Sequence, residues 1–174
     1  MRAVSHLALS AAAGALAWRM GLGGAATVLG AAVGGLLPDL DLPAHVSSPL
    51  ERWTIRLFRR TRAAWAGYLL AALIRLFRLI LLALGASHRG WWHSPVIPIL
   101  LIAVGAVFRG AAGNWVFGTG LGMLVHLLAD SLTPTGIRWF RWHLRGPVRT
   151  GSPLEAVVVV VALFFALAMM SWAR

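Results

Sequence analysis

Residues 7–37 are apolar at almost every position, with a break only at 19–24. Thirty-one residues exceed the roughly 20 that one bilayer crossing needs, so this stretch predicts a hairpin of two short helices, 7–18 and 22–37. Arg2 ahead of an apolar run also suits a signal peptide. The run is too long for one, however, and it leads into Leu37-Pro38-Asp39-Leu40-Asp41 rather than a small-residue cleavage site.

Composition agrees with a chain built for lipid. Hydrophobic residues make up 59%, charged residues 12%, and the mean hydropathy is +0.78. A soluble domain carries about 25% charged residues, so a soluble globule, a disordered chain and a coiled coil are all excluded. With 174 residues the chain is long enough for one domain, 1–174, and the expected fold is all-α: a polytopic integral membrane helix bundle. Three more spans are expected, at 95–108, 114–132 and 154–172, making about five in all.

The segment 52–86 is different. Arg52, Arg56, Arg59, Arg60, Arg75 and Arg78 fall within about 160° on a continuous helix, with Trp53, Leu57, Phe58, Trp65 and Tyr68 interspersed. A crossing would place Arg75 and Arg78 at mid-bilayer, which is expensive. The expectation is a basic amphipathic helix lying in the interface.

All 16 basic residues are Arg, against 5 acids, for a formal net charge of +11. No nucleic-acid-binding module accompanies that charge, so its expected partners are the lipid bilayer and its anionic headgroups, and not nucleic acid. The positive-inside rule puts the Arg-rich segments 52–62 and 138–149 in the cytoplasm. Trp139 and Trp142 in the second segment suit an interfacial belt. On this count Asp39, His88, His93 and the end of the 114–132 helix share the cytoplasmic face.

In so apolar a chain the ionisable residues stand out. His6 opens the first apolar segment, Asp39 and Asp41 close the hairpin, and His88-Arg89-Gly90-Trp91-Trp92-His93-Ser94 precedes the third span. His126 and Asp130 are four apart on a helix and share a face, so they either bind one ion or hydrogen-bond each other. Asp39 and Asp41 suit turn and capping roles as well as a shared divalent cation. His88 and His93, flanking a flexible Gly90, suit a loop folded around an ion or a phosphate. With no Cys, any metal is held by His and carboxylate, a mixed set that favours zinc, then manganese, over calcium.

This order of motifs, with His-x-x-x-Asp-x-x-Thr-x-x-Gly at 126–136 and Arg149-Thr150-Gly151-Ser152-Pro153-Leu154-Glu155, resembles the YdjM-type inner-membrane metal-dependent hydrolases. The likeness covers nearly the whole chain outside 44–84. It implies a bacterial inner-membrane, multi-pass protein with a divalent metal held by His6, Asp39, Asp41, His88, His93, His126 and Asp130. Two positions depart from the family pattern: Trp92 replaces a Thr, and Leu42 replaces a His for which His45 can substitute.

A metal-dependent hydrolase with its site at the cytoplasmic face is therefore expected, acting on a phosphoester or lipid-like substrate. In it His126, Asp130, His88 and Asp39 bind the ion, and His6 and His93 complete a second position. Asp41 serves as ligand or general base, and Arg89 holds an anionic group or anchors to headgroups. Glu155 caps the last helix or orients a ligand. No Gly-x-Ser-x-Gly, phosphate-binding loop or His-Glu-x-x-His is present, which disfavours a serine esterase, an NTPase and the usual zinc protease. The rivals are a metal or proton carrier, whose ligands would spread through the bilayer depth, and a non-catalytic scaffold. A structural metal in a scaffold needs only four ligands, fewer than the seven candidates here.

Overall fold

Close packing of glycines organises the structure, a computed structural model that describes residues 1–41, 49–61, 63–83, 93–108, 110–139 and 141–172. These form seven helices: α1 (Ala3–Arg19), α2 (Ala25–Gly34), α3 (Pro49–Phe58), α4 (Ala64–Ala83), α5 (Val96–Val107), α6 (Gly110–Ser131) and α7 (Pro153–Trp172). The chain divides into two compact units, residues 1–38 with 93–174, and residues 39–92.

In the larger unit α6 is the axis, packed against α1, α2 and α5, while α7 lies on α1. Gly30 and Gly34 of α2 and Gly118 and Gly122 of α6 form two small-xxx-small ridges. A Cβ at any of the four would run into the facing backbone, at Trp115, Thr119, Thr27 or Ala31 respectively. Such close approach suits a medium where helices gain little from burying apolar surface and must associate by direct packing.

Only α6, among the described helices, is both long and apolar enough to cross a bilayer alone. Its 22 residues rise about 33 Å, whereas the 10 of α2 and 12 of α5 rise about 15 and 18 Å. Hydrocarbon is about 30 Å thick, so of the expected five spans the described helices show one clear crossing, with shorter apolar helices around it. The helix is also not the only regular element. An antiparallel hairpin, β1 (Ile137–Trp139) with β2 (Trp142–Leu144), occupies the basic 138–149 segment, pairing Ile137 with Leu144.

The smaller unit corrects the expected single interfacial helix. The 52–86 segment is broken after Phe58, where the Thr61 hydroxyl donates to the Phe58 carbonyl and accepts from the Ala63 N–H. Helices α3 and α4 then pack on each other, with Gly67 against Phe58. Because the phase is lost at the break, the six Arg do not share one face. Arg75 is exposed, while Arg78 is 1% exposed, pairs with Glu51 and donates from Nε to the Leu40 carbonyl at 3.0 Å. A guanidinium that is costly in lipid is thus neutralised within its own unit.

Candidate metal centre

The α2–α6 seam sets up the site. Gly122 meets Ala31 and Gly35 so closely that the carbonyl of Gly35, just past the end of α2, reaches His126 Nδ1 at 2.7 Å. A carbonyl only accepts, so Nδ1 carries the hydrogen and neutral His126 keeps its Nε2 lone pair for the opposite side. There Nε2 lies 3.6 Å from Asp130 Oδ2, across the i, i+4 spacing of α6.

Helix α1 brings His6 against the same pair. Its ring stacks on His126 with centroids 3.8 Å apart and planes 19° from parallel, and its Nε2 is 3.3 Å from Asp130 Oδ1. One donor atom each from His6, His126 and Asp130 lies within 4.8 Å of the others, and all three residues are buried. His93, also buried, sets its ring edge-on to His126 with centroids 5.8 Å apart.

The donor spacing fits a metal. Two donors on a tetrahedral zinc with bonds of ~2.0–2.1 Å are roughly 3.4 Å apart, close to the 3.3 Å from His6 to Asp130 Oδ1 and the 3.6 Å from His126 to the other oxygen, Oδ2. Two imidazoles and one carboxylate also match the nitrogen–oxygen preference of zinc or manganese better than the all-oxygen preference of calcium.

A second carboxylate anchors the α1 end of the site. Glu155, in the first turn of α7, accepts from the Ser5 hydroxyl at 2.6 Å, the Arg2 N–H at 2.6 Å and the Gly151 N–H. The Met1 amino nitrogen donates to Asp130 Oδ1 at 3.2 Å, so consecutive backbone nitrogens reach Asp130 and Glu155. Glu155 therefore both caps α7 and holds α1 in the register that presents His6. Past Asp130, the Thr133 hydroxyl donates to the Asp130 carbonyl at 2.7 Å and ends α6. Gly136 then turns at φ +59°, where a side chain would strike the Leu144 carbonyl. The Thr and Gly of the 126–136 motif are thus explained by the helix stop and the turn into the hairpin.

Of the seven residues expected to bind metal, the structure brings His6, His126 and Asp130 together and sets His93 beside them. Asp39 is half-buried in a 3-10 turn, Pro38–Asp41, and with the backbone of Asp41 belongs to the smaller unit. His88, Arg89, Leu42, His45 and Trp92 lie outside the described residues. Sequence reasoning missed the Gly35 carbonyl, Ser5, the Met1 nitrogen and the Glu51–Arg78 pair. The only signal for the first was the small-residue spacing, which marks close backbone approach but not the carbonyl it delivers.

No curated protein and no solved structure matches this chain. The model of the YdjM inner membrane protein family matches residues 1–174, the whole length, and the chain belongs to that family.

Proposed function

We propose that the protein is a membrane-bound metal-dependent hydrolase whose ion is held by His6, His126 and Asp130, with zinc ahead of manganese. The observation that carries this reading is the buried convergence of two imidazole nitrogens and a carboxylate at metal-ligand spacing. Three protein ligands leave coordination positions open, as catalytic sites do, whereas a structural site closes with four.

When bound, the ion supplies positive charge that polarises a scissile bond and acidifies water. The chain does the rest. The Gly35 carbonyl fixes the His126 tautomer, which presents Nε2, and the ring stack holds His6 parallel to it. Glu155 positions α1 through Ser5. His93, buried and edge-on to His126, is the residue we assign to take up or return a proton near a bound substrate. The Arg-rich 138–149 connector comes after the site end of α6, and by the positive-inside rule it supports a centre facing the cytoplasm. A phosphoester is the expected substrate class, since exposed Arg side chains on that connector attract phosphate.

Metal content of the protein purified in mild detergent tests this reading. One zinc or manganese per chain is expected, lost in His126→Ala and Asp130→Asn while helicity and thermal unfolding persist. Metal at background after addition of excess zinc and manganese would reject it and leave a hydrogen-bonded His–Asp cluster with a structural role.

A further inference from the structure

Helix α7 packs on α1 but stands off from α6, leaving a groove floored by α1 between the other two. Its volume is about 430 Å³, within the ~300–1,000 Å³ of small-molecule sites. Leu9, Ala13 and Leu16 line it from α1, Val125, Leu128 and Ala129 from α6, and Val158, Ala162 and Phe165 from α7, with Ser131 its one polar lining residue. Along α1 and α7 it runs roughly 10–12 Å, from the rise per residue.

Each wall starts at the polar cluster. Leu9 is three residues after His6 and Val158 three after Glu155, while Ala129 and Ser131 flank Asp130. The same end is basic. The Val148 N–H donates to the carbonyl of Leu132, itself a lining residue, so exposed Arg149 follows one residue after this contact, and the Arg2 guanidinium packs against Gly151. Val157, Val160, Val161 and Phe164 make the outer face of α7 exposed and apolar, a face suited to hydrocarbon in an inner membrane protein.

We infer that the groove seats one acyl chain of an anionic phospholipid, whose phosphate lies at the cluster of Arg2, Arg149 and the His6–His126–Asp130 centre. The chain end rests on the groove's apolar lining, the exposed apolar face of α7 beside it and the charge at its mouth. The headgroup end rests on the proposed hydrolase site and makes membrane phospholipid its substrate class. A helix from a second copy would match the apolar lining but not the basic mouth.

The test uses full-length protein in phosphatidylcholine nanodiscs doped with phosphatidylglycerol carrying a mid-chain diazirine. After irradiation, label on peptides covering 9–16 and 158–166 is expected at least fivefold above that on 96–107, whose Ile99 and Leu100 are simply lipid-exposed. Ala162→Phe and Ala13→Phe, from two walls, are each expected to cut groove labelling at least fivefold and leave α5 labelling unchanged, with melting curves confirming the fold. Equal labelling of groove and α5, or labelling indifferent to both substitutions, would show ordinary contact with the bilayer and overturn the inference. So would an unlabelled groove in a protein that sediments as a dimer. Equal labelling by diazirine phosphatidylcholine would overturn the anionic headgroup. Metal measured in the same samples separates the two claims: no metal with groove labelling intact rejects the hydrolase, while metal with an unlabelled groove rejects only the acyl site.

Discussion

Replacing Gly122 by alanine is expected to weaken metal binding without touching a ligand. A Cβ there would sit 2.0 Å from the Ala31 carbonyl oxygen and 2.8 Å from the Gly35 nitrogen, against ordinary contact at 3.4 Å or more, so the end of α2 must retreat by at least about 0.6 Å at Gly35. Carried into the Gly35 carbonyl, that shift stretches its 2.7 Å hydrogen bond from His126 to about 3.3 Å, beyond the 2.7–3.2 Å range of such bonds. Loss of the partner that orients a ligating imidazole costs about 10–100-fold in metal affinity. The overpacked seam itself costs about 1–3 kcal/mol of stability. Gly118→Ala, one turn away, is the control: its Cβ meets Thr27, far from Gly35 in sequence, so stability falls similarly while affinity stays within a few-fold. Competition with a fluorescent zinc chelator in nanodiscs gives the affinity, and thermal melts give the stability. Equal metal affinities for Gly122→Ala and wild type, with the protein destabilised as predicted, would refute the link between the helix seam and the site.

Glu155→Gln should lower stability by about 1–3 kcal/mol, because it weakens an acceptor shared by Ser5, Arg2 and Gly151; melts in detergent check this, and metal affinity should drop with it as His6 loses its register. In the smaller unit Arg78→Met takes the guanidinium from a buried Glu51 and should cost about 3–5 kcal/mol, seen as proteolysis within 49–83. The double variant Glu51→Leu/Arg78→Met should recover most of that loss; no recovery would deny the pairing. Chelation of a metal present at a hundredfold over its Kd should remove about 2.7 kcal/mol of apparent stability, a fall in Tm that zinc restores. Asp130→Asn should abolish that chelator response while wild type retains it, since Asp130 faces both imidazoles.

What was legible in the sequence was whatever one or two helical turns determine. His126 and Asp130 had to share a face because four residues span about one turn. The Gly-x-x-x-Gly spacings of α2 and α6 are present in the sequence, but they name no partner for the close packing they allow. The 52–86 segment was misread for a related reason. A phase argument over 27 residues assumes an unbroken helix, and the turn held by the Thr61 hydroxyl cancels it, sending Arg78 inward while Arg75 stays exposed. Of the expected spans α6 alone is clearly long and apolar enough, because apolar composition continues through turns that end α2 and α5 after 10 and 12 residues.

Composition alone, then, determined the solvent: so few charges on so apolar a chain leave a membrane as its place. It also determined which ionisable residues need an explanation, because each is costly in hydrocarbon. Only the tertiary structure decided which of them meet. His6 reaches Asp130 and Ser5 reaches Glu155 because α1 packs between α6 and α7, and Gly35 reaches His126 across 91 residues because four glycines let two backbones touch. Local geometry propagates along one helix, but contacts between distant segments depend on which faces pack and how closely. The groove beside the site, left where α7 stands away from α6, is a property of that packing and of no segment by itself.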